Sequence, residues 1–213
     1  MIDLYCERLA PGLLEEPINA FTNLAFFVAA WAAWSLARRE QAHHTPVGLL
    51  IALMMVIGTG SALFHTFATP WARILDEVPI LLFQLYYLWL YLRCIMQAAV
   101  GTTAASIIGY LGIALFARQF PHLLNGSLVY APAVIVMLGL GLYHFVQHRP
   151  GRSLLLAAGG IFLISVAFRS IDEAVCAAIP TGTHFLWHVL NGVVLYLSTR
   201  ALILSRMDKM ALA

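Results

Sequence analysis

Residues 48–67 read GLLIALMMVIGTGSALFHTF, an apolar run matching the roughly 20 residues that cross the hydrocarbon core of a bilayer, with a histidine near its end. Six more stretches share this character, at about residues 19–37, 75–96, 102–120, 128–146, 153–171 and 184–204. Hydrophobic residues make up 62% of the chain and charged ones only 10%, and the mean hydropathy is +0.85. That leaves too little polar surface to cover a water-soluble globule of 213 residues. The expected fold is therefore all-α, an integral membrane bundle of seven transmembrane helices. Connections are short and hold turn formers and charges, as in Arg38-Arg39-Glu40, Pro121-His122 and His148-Arg149-Pro150-Gly151. A single domain over residues 1–213 is expected, with an amino-terminal segment 1–18, a bundle of about 19–204 and a tail 205–213.

Charge placement orients the bundle. The chain opens on a polar segment with Asp3, Glu7, Arg8, Glu15 and Glu16, unlike a cleavable signal, so the first span is expected to direct insertion. With the amino terminus outside, one side collects Arg38, Arg39, Arg93, Arg149, Arg152, Arg200, Arg206 and Lys209. The other holds Arg8, Arg73 and Arg118, with Arg169 inside the sixth span. The positive-inside bias thus predicts the amino terminus outside and the carboxyl terminus cytoplasmic. The net charge of +2 adds little. The membrane is the expected partner and nucleic acid is not; oligomeric state is left open.

In this orientation the ionisable residues of the spans gather at the outer level. Span 2 ends there with Ser61 and His65, span 3 begins there with Asp76 and Glu77, span 6 ends there with Asp172 and Glu173, and span 7 begins there with His184 and His188. Ionisable groups at membrane depth are costly, so their convergence points to a working site. His184 and His188, four apart on a helix, present both imidazoles from one face, and His65 brings a third from another helix. Three nitrogens suit a catalytic zinc, which keeps a position for water and lowers its pKa to roughly 7. Asp76 is the natural acceptor of that proton. Ser61, one turn before His65, would face the same cavity and stabilise the water or an oxyanion, although Gly58-Thr59-Gly60-Ser61-Ala62 serves close helix packing equally well.

The other polar residues have plainer readings. His122, His144 and His148 are expected as interfacial anchors, and His43 and His44 as solvated loop residues. Asp172 either pairs with Arg169, three residues away, or accepts the second nitrogen proton of a ligating histidine. Trp31, Trp34, Trp71, Tyr86, Tyr87, Trp89 and Tyr91 are divided between interfacial belt and core, with no chemistry assigned.

Gly60-Ser61-Ala62-Leu63-Phe64-His65, then Leu75-Asp76-Glu77-Val78-Pro79, then His184-Phe185-Leu186-Trp187-His188 resemble the signature of the alkaline ceramidase family, part of a seven-span hydrolase superfamily that includes adiponectin-receptor-like proteins. The resemblance covers nearly the whole chain. It implies a zinc amidase that hydrolyses the N-acyl bond of ceramide or a related lipid entering from the bilayer, releasing a fatty acid and an amine. It further implies zinc on His65, His184 and His188, Asp76 as the water-activating acid and Ser61 as the oxyanion residue.

Tyr5-Cys6-Glu7 and Glu16-Pro17-Ile18-Asn19 resemble the family segment that binds calcium in eukaryotic members. Asp3, Glu7 and Glu16 are the carboxylates available here, short of the six to eight oxygens calcium prefers. A plain alternative is that Glu16 caps the first span, with Pro17 in its first turn. Cys6 and Cys176 both fall on the oxidising side, where the family pattern also has cysteines, so a bridge is expected; Cys94 falls on the reducing side. Two other functional classes stay open. A seven-helix receptor would bind lipid or protein without turnover, and a metal or proton transporter would need polar residues staged through the bilayer, which the inner halves of the spans lack.

Overall fold

The computed structural model describes residues 1–42 and 45–205; His43, His44 and the tail from residue 206, with Arg206 and Lys209, lie outside the described residues. The helices are α1 (Pro17–Thr22), α2 (Leu24–Arg39), α3 (Thr45–Phe67), α4 (Pro70–Leu90), α5 (Val100–Ala117), α6 (Ala131–Val146), α7 (Leu154–Val175) and α8 (His184–Leu204). A π-helical turn, Tyr91–Ile95, extends α4, and a 3-10 stretch, Leu123–Tyr130, leads into α6. No strand occurs among the described residues. With α1 and α2 running on as one, seven helices are long and apolar enough to cross a membrane.

The third of these begins at Pro70, earlier than the hydropathy pattern suggested, because Pro70 occupies the first turn. Asp76 therefore sits within α4 and not at its tip.

The helix α8 is the most enclosed, followed by α3 and α4 alike, and α5 is among the least. Around them, α2 packs on α8 and α3, α4 on α3, and α7 on α8 and α6, while α5 touches α6, α4 and the 3-10 stretch from the edge. Large apolar side chains such as Phe21, Trp31, Ile108, Phe116 and Ile135 point outward. In water such a surface would aggregate; in a bilayer it faces lipid, which is as apolar as the core.

The junction of α3 and α4 decides where the chemistry-bearing side chains meet. Pro79 lies inside α4 and has no N–H, so the carbonyl of Leu75, four residues earlier, loses its helical donor. That carbonyl lies against Gly60 of α3, so closely that a Cβ there would overlap it. The bare Cα of Gly60 lets the two backbones approach, and Ser61 and Asp76, the next residues on each helix, are brought together.

At the opposite end of the bundle, His144 is fully buried between the Tyr91 hydroxyl, 2.8 Å from Nδ1, and the Pro150 carbonyl, 3.0 Å from Nε2. It was expected as an interfacial anchor. It is instead an internal clamp, because a partner on each side satisfies both ring nitrogens away from water.

A candidate metal centre beneath the amino-terminal segment

His65 lies in the last turn of α3, His184 opens α8 and His188 follows one turn later, so two helix ends converge at one level. Their ring centroids are 5.2, 4.8 and 4.7 Å apart for the pairs 65/184, 65/188 and 184/188. One nitrogen from each lies within 4.8 Å of the others, and all three residues are buried. Among the described residues this is the one such group of three or more His, Cys, Asp or Glu side chains.

The hydrogen-bond network fixes which nitrogens are free. Glu16 Oε2 lies 2.5 Å from His65 Nδ1, and Arg8 Nε donates to Glu16 Oε1 at 2.7 Å. Burial alone would push the Glu16 carboxyl up; the hydrogen bond from His65, with the hydrogen bond and charge of Arg8, acts against it, and the group is held below its ordinary value. Ionised Glu16 accepts, so His65 Nδ1 carries the proton. Thr22 Oγ1 donates to the Ile18 carbonyl at 2.8 Å and lies 3.0 Å from His188 Nδ1, so the hydroxyl oxygen accepts from that ring.

Both Nε2 atoms are thereby left with lone pairs, and they stand 3.1 Å apart. Lone pairs facing at this distance repel unless a cation joins them. Two nitrogens held at about 2.0–2.1 Å on a tetrahedral ion would stand roughly 3.3 Å apart. In addition, His184 Nδ1 is buried and has no hydrogen-bond partner among the described residues. Facing lone pairs, an orphaned nitrogen and one carboxylate-backed imidazole fit a metal ion.

The amino-terminal segment forms the roof of this centre. Tyr5, Cys6, Glu7 and Arg8 are all buried. Backbone bonds from Ile2 to Ala68 and from Leu14 to Thr66 tie the segment to the end of α3. The Tyr5 ring stacks on His184 at 3.6 Å, and burial pushes its phenol up, keeping it protonated. Cys6 is bridged to Cys176. Arg8 also donates to the carbonyls of Gly12 and His65, at 3.3 Å each.

Two of the three carboxylates considered for calcium, Glu7 and Glu16, are engaged by protein groups. Glu7 accepts from the amides of Ile18 and Asn19 at 2.6 and 2.8 Å and so caps α1, the role foreseen for Glu16. Glu16 has no capping bond, because Arg8 and His65 take both its oxygens. Asp3 is exposed, and the three carboxylates do not form a metal-binding group.

Asp172 and Arg169 also part company with expectation. Asp172 accepts from the amides of Thr183 and His184 at 2.5 and 2.8 Å, and from that of Cys6 at 3.0 Å. It neutralises the positive end of α8 and positions His184 through its backbone rather than its imidazole. Gly182, at φ +64, makes the turn that wraps these amides around the carboxylate. Arg169 instead donates to the Asn125 carbonyl and the Ser127 hydroxyl, both at 2.8 Å.

Ser61 is buried one turn before His65, and its side chain interacts with the partly buried Asp76 carboxyl, which also lies within electrostatic reach of His65. The sequence pattern missed Thr22, Arg8 and the stacking of Tyr5. Glu16 was noticed for other roles, and nothing in the linear spacing of α1 from α3 would have paired it with His65.

Such a bundle fits a multi-pass membrane protein with a buried cluster of three histidines, able to hold a metal ion, at one end of its helices. The family model described as Ceramidase matches residues 6–211, and the chain belongs to the ceramidase family, hydrolases of lipid amides. No curated protein matches the chain.

Proposed function

We propose that this protein is a zinc-dependent intramembrane amidase that cleaves the N-acyl bond of ceramide or a related lipid, giving a fatty acid and an amine. The observation that carries the reading is the pair of Nε2 atoms 3.1 Å apart on His65 and His188, with the orphaned nitrogen of His184 beside them. His65, His184 and His188 would hold the ion. Zinc, when bound, supplies a Lewis acid and makes water acidic enough to ionise near neutral pH. Asp76 takes the proton of the attacking water and returns it to the departing amine. Ser61, whose hydroxyl meets Asp76, is released from the carboxylate once Asp76 has taken that proton and then donates to the oxygen on which charge develops at the acyl carbon. Glu16 and Thr22 keep the imidazoles of His65 and His188 in the tautomer that presents Nε2.

The site is proposed to open toward the outer face, with the amino terminus outside and the chain 1–213 acting as one unit. The excess of arginine at the other end supports this orientation, as does a disulfide at the site end, since such bonds persist in oxidising compartments. A lipid amide then reaches the site laterally from the bilayer.

The test is hydrolysis of N-acyl lipids by purified protein together with its metal content. His188→Ala should lose metal and turnover together. Asp76→Asn should keep the metal and lose about 10²- to 10⁴-fold in rate. Metal retained with no amide cleaved by the wild type would turn the reading toward a receptor without turnover.

A further inference from the structure

Arg169 sits inside a membrane-spanning helix, where a charge is expensive and marks function by default. Its guanidinium is held by the Asn125 carbonyl and Ser127 hydroxyl at 2.8 Å each and by the faces of Tyr130 and Trp187 at 5.4 and 5.8 Å, with the Tyr5 side chain within electrostatic reach. These partners fix its position without neutralising it. Among the described residues no carboxylate forms an ion pair with it; Asp76 is within electrostatic reach only.

Arg169 lines a cavity of about 380 Å³ that also has Tyr5, Arg73, Glu77, Arg118 and Tyr130 in its wall. Glu77 is shared between two arginines, 2.6 Å from Arg73 and 3.1 Å from Arg118. Three guanidinium groups and a single carboxylate thus line the wall, which carries a net positive charge even though Asp76 lies near Arg169 behind it. Tyr5 joins it to the metal centre through the stack on His184. Ile80 and Gln84 line both this cavity and a second, nearly apolar one of about 70 Å³ bounded by Phe162 and Trp187.

A wholly neutral head group would gain nothing from this charge, whereas an anionic one would complete it with charge-assisted hydrogen bonds. Resting on the lipid-amidase reading above, we propose that the preferred substrates are lipid amides with an anionic head group, that Arg169 is the residue that reads the charge, and that Arg118 and Arg73 attract it at the rim. The hydrocarbon of the lipid then follows the apolar lining past Ile80 and Gln84.

The experiment compares two amides of one acyl chain and one long-chain base, the first with a free hydroxyl head and the second with a phosphate monoester there, in a neutral detergent. The wild type should favour the phosphate form by about tenfold or more in kcat/KM, the range of one charge-assisted hydrogen bond. Arg169→Gln should bring the ratio close to one, and Arg169→Lys should retain part of it. Because Arg169→Gln removes packing as well as charge, Glu77→Gln serves as a second variant. It lies at the partly exposed rim, and by removing the one negative charge it should raise the ratio.

Equal or reversed preference in the wild type, or a ratio indifferent to both variants, overturns the proposal. So does a pattern in which Arg169→Gln relieves inhibition by free fatty acid but leaves the ratio intact, since Arg169 would then hold the product carboxylate. If neither amide is cleaved, the amidase reading fails by itself. Binding of matched amphiphiles with an ether in place of the amide then still decides the head-group preference: tighter for the phosphate form, with the difference lost in Arg169→Gln, or not.

Discussion

Each imidazole of the centre is held by a different neighbour: Glu16 for His65, Thr22 for His188, and the Tyr5 stack with the Asp172-bound backbone for His184. The three imidazoles are therefore positioned without an ion, and on the proposed function losses should be graded by which support is removed. Glu16→Gln keeps the volume of the side chain but removes the charge that fixes the His65 tautomer. Chelator competition should show metal affinity reduced about 10- to 100-fold, with the fold retained. An unchanged affinity would mean that the Glu16 contact is only packing. The meeting of the three histidines, with Asp76 near them, was legible in sequence, because i,i+4 histidines and ionisable residues in apolar runs are costly enough to stand out. Glu16 and Thr22 were not, since a carboxylate or hydroxyl beside a helix start has a dozen ordinary uses.

Between elements, the junction of α3 and α4 places Asp76. It depends on two residues without ordinary side-chain chemistry: Gly60 and Pro79. Gly60→Ala puts a methyl group against the Leu75 backbone, which cannot rotate away as a side chain would. Forced separation of the helices should cost about 1–3 kcal/mol, the range for overpacking, and should lower turnover more than metal content, because His65, His184 and His188 do not ride on α4. Thermal unfolding and metal analysis of the variant check this; a parallel loss of metal and rate would show that the junction supports the whole centre instead. The run Gly58-Thr59-Gly60-Ser61-Ala62 was readable as a packing surface, but its partner was not. Hydropathy gave the third span a later start than Pro70, which concealed that Asp76 lies inside a helix opposite Gly60.

For the molecule as a whole, the seven spans were plain from composition and run length, since lipid-facing and core-facing residues are both apolar and only the ends differ. Packing order was not readable, because the same lack of polar faces removes the amphipathic signal that tells one helix side from another. The Cys6–Cys176 bridge closes a separation of 170 residues and joins the roof of the site to the end of α7. Removing it with Cys6→Ser and Cys176→Ser should reduce stability by about 2–5 kcal/mol and loosen Tyr5 and Arg8 from the centre. Metal loss at a lower chelator concentration than in the wild type is the expected result; a bundle equally stable and equally metallated would make the bridge incidental.

The convergence of imidazoles from α3 and α8 on one ion is open to a zinc K-edge absorption spectrum of the purified protein. It should contain three imidazole nitrogens at about 2.0–2.1 Å, and this pattern should degrade in His65→Ala. A protein that takes up no zinc, or one whose spectrum is the same with and without His65, would contradict it.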